Sequence, residues 1–117
     1  MMMNRRTAVA ALAAMAIAPV QAYATDWPTK PVTIYVTTAA GGNTDLMARM
    51  AAEYLSAKFG KTFVVENRPS AGGILGPEHV KNSKPDGYTI LIHHIGMATT
   101  PALYRNLPFK VLDDYEF

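Results

Sequence analysis

Hydrophobic positions along this chain switch between two periods. Val32-Thr33-Ile34-Tyr35-Val36, Thr62-Phe63-Val64-Val65-Glu66 and residues 88–93 are short β-branched or aromatic runs bounded by proline and glycine, the composition of strands. Between the first two runs, Leu46, Met50 and Tyr54 recur every four residues with Met47, Ala51 and Leu55 beside them, which predicts a helix with that face apolar. Asn43 or Thr44 can cap it, Asp45 falls in its first turn, and Gly60 ends it after Phe59. Asp45/Arg49 and Arg49/Glu53 are expected as pairs on the remaining surface. A shorter second helix is predicted over 73–82, with Pro77 confined to its first turn, and Lys84-Pro85-Asp86-Gly87 has the chemistry of a turn. The order βαβαβ implies an α/β fold with a parallel sheet covered on both faces. In such sheets ligands sit beyond the carboxyl ends of the strands.

Twice a strand runs into a glycine loop and then into a helical pattern. Val32–Val36 leads to Ala39-Ala40-Gly41-Gly42-Asn43-Thr44-Asp45, and the second strand leads to Ser70-Ala71-Gly72-Gly73. A glycine turn opening a helix offers unpaired N–H groups and the positive end of the helix dipole, a seat for a carboxylate or phosphate. The pattern therefore points to recognition of a small anion.

The first 24 residues read as an export signal. Arg5 and Arg6 form a basic start, residues 7–18 are apolar but too short to cross a bilayer, and Ala22-Tyr23-Ala24 predicts cleavage after Ala24. A buried N-terminal helix would need a polar face, and residues 8–20 supply none. The expected destination is the periplasm, with Thr25 as the mature N-terminus and the Sec and Tat routes both open. Removing the leader also removes the whole +2 charge excess, because nine Lys and Arg then face nine Asp and Glu. The pI near 9.0 thus implies no basic surface, and nucleic-acid binding loses its electrostatic basis. With no cysteine, the sequence carries neither disulfides nor thiolate metal ligands, and no lipid-attachment point follows the leader. Residues 25–117 suffice for one small core. Tyr115-Glu116-Phe117 reads as the opening of another strand, so the chain is expected to be the first part of a longer domain.

Sharper chemistries are weaker readings. Ala71-Gly72-Gly73-Ile74-Leu75-Gly76 approaches the dinucleotide fingerprint, but Ala71 replaces its first glycine, and an exported protein is a poor NAD enzyme. The first loop lacks the Gly-Lys-Ser/Thr of a P-loop. His93 and His94, as adjacent strand residues, are expected on opposite faces, one toward the strand end and the other beneath a helix, which opposes shared chelation of a metal. His79 reads as a solvated helix residue. Ser70 has no G-x-S-x-G elbow around it, so neither a nucleophilic site nor a cofactor is called for.

Five segments, in order, resemble a known family. They are Asp26-Trp27-Pro28-Thr29-Lys30-Pro31-Val32; Gly41-Gly42-Asn43-Thr44-Asp45; Val64-Val65-Glu66-Asn67-Arg68-Pro69-Ser70-Ala71-Gly72-Gly73; Pro85-Asp86-Gly87-Tyr88-Thr89; and Pro101-Ala102-Leu103-Tyr104. Together they look like the periplasmic substrate-binding proteins of tripartite tricarboxylate transporters, the Bug-type receptors. The resemblance implies a type II periplasmic binding protein, a Venus flytrap of two α/β domains, of which this chain covers a βαβαβ part of domain one. It also implies no catalysis, a small organic carboxylate as ligand, delivery to integral-membrane transporter subunits, and a monomer when full length. Where the family has prolines before the first loop's glycines, Thr37-Thr38-Ala39-Ala40 stands here, which predicts a more flexible loop.

Carried onto this sequence, the resemblance assigns ligand contacts to Thr38, Gly42, Asn43 and Thr44 in the first loop and to Ser70, Ala71, Gly72 and Gly73 in the second. At the end of the third strand it assigns His94, Gly96, Met97 and Thr99. Asp45 is expected to brace its loop, since it would repel an anion. Arg68 has two readings, a fork for the ligand carboxylate or a structural tether. The rival functions are an exported α/β enzyme acting on a small ester or anion through Ser70 or His94, and a nonfunctional remnant.

Overall fold

Three short strands pair in parallel in the order β2-β1-β3, with β1 (Val32–Val36) between β2 (Phe63–Asn67) and β3 (Thr89–Ile92). Ile34 stands opposite both Val65 and Ile90, and the central strand is the most buried of the three. The computed structural model describes residues 26–117; the predicted leader and its cleavage after Ala24 lie outside the described residues. Val32, Ile34 and Val36 are fully buried, each a gain of roughly 1.5–3 kcal/mol over exposure. Trp27 meets Phe63 and Phe59 edge-on at the amino end of the sheet.

Helix α1 (Asn43–Phe59) covers β1 and β2, and it sits on a different face from the predicted one. Ala48 and Ala52 are buried against the sheet with Leu55 packed beside them, whereas Leu46, Met47, Met50 and Tyr54 are 58–65% exposed. Ala48 lies two positions from Leu46, about 200° around a 3.6-residue helix, so the helix is turned nearly half a revolution. Alanines let the helix axis approach the strands closely, and the larger side chains are left outward.

The cap also differs. Neither Asn43 nor Thr44 caps α1; the N-cap is Gly42, in extended conformation and without a side-chain bond. Closure comes from inside the helix, where Asp45 accepts the Gly41 N–H at 2.8 Å. At the other end Gly60 takes φ +65 and returns its N–H to Ser56, as expected of a terminating glycine. Arg49 pairs with Asp45 as predicted, and its Nη2 reaches Asn67 rather than Glu53.

The second helix starts later than predicted. Gly72 and Gly73 have φ of +74 and +66, incompatible with a right-handed helix, so a 3₁₀ turn (Ala71–Gly73) precedes α2 (Leu75–Lys81). Pro77 falls in the first turn of α2, where its missing N–H has no intrahelical partner to lose. Helix α2 packs on β3 and β1 from the side opposite α1, and there His79 is no solvated residue: its ring centroid lies 4.6 Å from that of Tyr35. Both faces of the sheet are thus covered. The turn before β3 forms as read, with Asp86 Oδ1 accepting the Tyr88 N–H and Gly87 at φ +78.

Helix α3 (Gly96–Leu103) was not legible in the hydrophobic pattern, since Gly96, two threonines and Pro101 are poor helix formers. Pro101 cannot donate to the Met97 carbonyl, and the Thr100 hydroxyl takes that place at 3.4 Å. Tyr115-Glu116-Phe117 is not strand; Tyr115 donates its hydroxyl to Pro77 O at 2.8 Å and stacks edge-on with Phe109. Among the described residues no helix is long and apolar enough to cross a membrane.

Candidate functional site

The carboxyl ends of β1, β2 and β3 release three loops that converge on one cleft of about 530 Å³. The first loop contributes Thr37, Thr38 and Ala39, and the second contributes Pro69, Ser70, Gly72 and Gly73. His94, Gly96, Thr99, Thr100, Leu103 and Tyr104 close it from the loop after β3 and from α3. The parallel sheet accounts for this placement, because every strand then ends on the same side.

Seven of the predicted contact residues therefore meet: Thr38, Ser70, Gly72, Gly73, His94, Gly96 and Thr99. Ala71 stands in the same 3₁₀ turn. Gly42, Asn43 and Thr44 are not in the cleft lining, since they form the start of α1. Met97 lines a different cavity, of about 750 Å³, on the far side of β3. Thr37, Thr100 and Tyr104 line the cleft without having been predicted. A signal for Tyr104 was present in the Pro101-Ala102-Leu103-Tyr104 segment, but nothing in sequence spacing folds it back over Gly72. A Cβ on Gly72 would collide with the Tyr104 hydroxyl, so this glycine provides room for the ring as well as its positive φ.

Polar groups in the cleft are neutral or weakly basic. Among the described residues no lysine, arginine, aspartate or glutamate lines it. Thr37 is only 3% exposed, and the hydroxyls of Thr37 and Thr38 are buried without a hydrogen-bond partner among the described residues. Burying such a group without a partner is costly. His94 Nδ1 accepts the Gly96 N–H at 3.0 Å, which places the proton of the neutral ring on Nε2. The glycine amides themselves are less available than the sequence suggested. Gly41 donates to Asp45, Gly42 to Ala39 O and Gly73 to Ser70 O, while Ser70 Oγ accepts from Leu75 N.

Asp45 braces the first loop as expected. It is 3% exposed and accepts from Arg49 Nε, Gly41 N and Asn67 Nδ2, which hold its carboxyl down at about 2. Asn67 Nδ2 also donates to the Thr38 carbonyl at 3.2 Å, tying the first loop to the end of β2. Of the two readings of Arg68, the contacts are those of the tether. Its Nε and Nη2 lie 2.9 and 2.8 Å from Glu66 Oε1, its guanidinium is 5.1 Å from the Tyr35 ring centroid, and its N–H donates to Val36 O.

The two histidines depart from the strand-alternation expectation. Both follow the end of β3, the chain bends there, and their ring centroids are 4.6 Å apart instead of on opposite faces.

Known proteins resemble this chain in sequence and in fold. The profile of the tripartite tricarboxylate transporter family receptor matches residues 47–117. A UPF0065 protein of Agrobacterium vitis, from the TAR-I ttuE-ttuC' intergenic region, is 46% identical over 114 residues, 97% of this chain and 33% of that protein. The structure of the periplasmic binding protein BugD aligns with a TM-score of 0.72 at 43% identity, covering 75% of this chain and 29% of the other. MatC from Rhodopseudomonas palustris, solved with bound malate, aligns with a TM-score of 0.71 at 31% identity over 75% and 30% of the two chains. The chain thus spans about a third of the length of these relatives. Its family and structural neighbours are periplasmic solute-binding receptors and not enzymes, which sets aside an exported enzyme built on Ser70 or His94. An α/β unit with a strand-end cleft, matched over most of its described length by these receptors, belongs to the Bug-type receptor family of tripartite tricarboxylate transporters.

Proposed function

We propose that this chain forms one wall of a periplasmic receptor that captures a small di- or tricarboxylate and delivers it to the integral subunits of a tripartite tricarboxylate-type transporter. The observation that carries the reading is the cleft itself: three strand-end loops converge on a site lined by threonines, a serine, glycines and a histidine, with no acidic side chain among the described residues. Malate bound to MatC supports a carboxylate as the ligand class. Thr38, Ser70, Ala71, Gly72, Gly73, His94, Gly96 and Thr99 are the proposed contacts, with Thr37 and Tyr104 added by the geometry. Gly42, Asn43 and Thr44 act through the position of the first loop, and Met97 through α3. Export with cleavage after Ala24 brings the receptor to the periplasm, and a second flytrap domain supplies the facing wall.

A nuclear magnetic resonance titration of the labelled chain with malate tests this. Amide shifts of Thr37, Thr38, Ser70, Gly72, Gly73 and Gly96 should move together, and dimethyl malate, lacking both charges, should leave them in place. Equal shifts with the ester would remove the carboxylate reading.

A further inference from the structure

His94 closes the start of α3 with two of its own atoms. Its carbonyl accepts the Met97 N–H at 3.0 Å, and its ring Nδ1 accepts the Gly96 N–H at 3.0 Å. Ala98 and Thr99 both donate to the Ile95 carbonyl, so the N–H groups of the first turn of α3 are all bound within the chain. None of them is left to meet a ligand. A helix start carries partial positive charge, and here the Gly96 N–H directs it onto the ring of His94. That ring belongs to an exposed residue of the cleft lining, with its centroid 4.6 Å from that of His93. Only a glycine fits beneath it: a Cβ at position 96 would lie 2.6 Å from His94 Cε1 and 3.1 Å from Nδ1.

We propose that Gly96 is a positioning residue that holds His94 in the Nε2–H tautomer and so makes it a donor-only group in the cleft. An imidazole free to exchange tautomers offers either a donor or an acceptor at the same nitrogen. With Nδ1 committed to a backbone donor, that choice is gone. The threonine, serine and tyrosine hydroxyls of the cleft can each donate or accept, so among these side chains His94 is the one whose sign is fixed. It takes an acceptor such as a carboxylate oxygen and refuses an ammonium or amide N–H. The Gly96 N–H thus acts on a ligand through the ring. This consequence for the ligand rests on the carboxylate reading, whereas the tautomer and its dependence on Gly96 do not.

The deciding measurement therefore uses no ligand. Imidazole nitrogen shifts of the ¹⁵N-labelled chain at pH 8 should show His94 protonated on Nε2 and bare on Nδ1, and a coupling across the hydrogen bond should connect Nδ1 to the Gly96 nitrogen. Gly96→Ala raises helix propensity at the start of α3, so a merely structural role would leave the ring signals alone. The added methyl should instead push the ring aside, abolish the coupling and move both His94 nitrogen shifts toward those of a tautomer mixture. Titrated with malate, the wild-type His94 Nε2 should shift together with the Gly72 and Gly73 amides while Nδ1 keeps its unprotonated shift. A ring protonated on Nδ1, a tautomer mixture or no coupling in the wild-type chain, or wild-type nitrogen shifts in Gly96→Ala would each overturn the positioning by Gly96. Loop amides that answer malate while His94 Nε2 stays in place would overturn the part given to the ring in selecting the ligand.

Discussion

Asn67 Nδ2 donates to Asp45 Oδ1 at 2.9 Å, so the last residue of β2 is bonded to the first turn of α1 across 22 positions of sequence. Because Asp45 also takes the Gly41 N–H and Asn67 also takes the Thr38 carbonyl, these two side chains fix the first cleft loop from both ends. The carboxylate form is required for this. Its folded pKa of about 2 lies below the ordinary 3.8, so its stabilisation is present above 3.8 and is lost as pH falls through 3.8 toward 2. Urea unfolding of the chain and of Asp45→Asn should show the difference between them shrinking over that range. At pH 7 the variant should melt about 5–10 °C lower. Parallel curves down to pH 2 would show that Asp45 does not act through its charge.

The buried face of α1 makes a second prediction. Ala48 is fully buried against the sheet, so Ala48→Leu should destabilise by about 1–3 kcal/mol through overpacking. Leu46, 58% exposed, should tolerate Leu46→Ser within about 0.5 kcal/mol. Denaturant midpoints compare the two directly, and the reverse order would restore the helix orientation read from periodicity.

Gly76 in α2 is buried, and a Cβ there would lie 2.8 Å from Thr37 Cγ2. Helix propensity alone favours Gly76→Ala by about 1 kcal/mol. The clash should cancel that gain and displace Thr37, one of the cleft threonines. Thr37→Ser removes the methyl, so adding Gly76→Ala to it should stabilise by about 0.5–1 kcal/mol. A stabilised single Gly76→Ala variant would mean that Thr37 yields easily.

Gly72 has φ +74 and faces the Tyr104 hydroxyl, so Gly72→Ala suffers both strain and collision. A loss of about 1–3 kcal/mol is expected. Tyr104→Phe in the same chain should return part of it and leave the strain. A double-mutant cycle with no coupling would separate Tyr104 from this loop.

Arg68, with its side chain 44% exposed, holds Glu66 and covers Tyr35 at the surface. Arg68→Gln should therefore cost less than about 1 kcal/mol of stability. Malate shifts in the cleft should be unchanged, and a tenfold weaker response would return Arg68 to the ligand.

The residues alone determined the three strands, two of the helices and the Lys84–Gly87 turn, because each is encoded by neighbours: β-branched runs, four-residue spacing, and glycine or proline where φ demands it. From their alternation followed the parallel sheet and a cleft at its carboxyl end, which brought Thr38, Ser70 and His94 together from three loops. Tertiary structure decided what local pattern leaves degenerate. Leu46-Met50-Tyr54 and Ala48-Ala52 are both four-residue stripes, and only the close approach of helix to sheet selects the alanines. The return of Tyr104 over Gly72 likewise depends on a partner many residues away. Such contacts as Asn67 with Thr38 and His93 with Gly73 span 29 and 20 positions, and they form only once strand register and crossover have placed three loops on one side of the sheet.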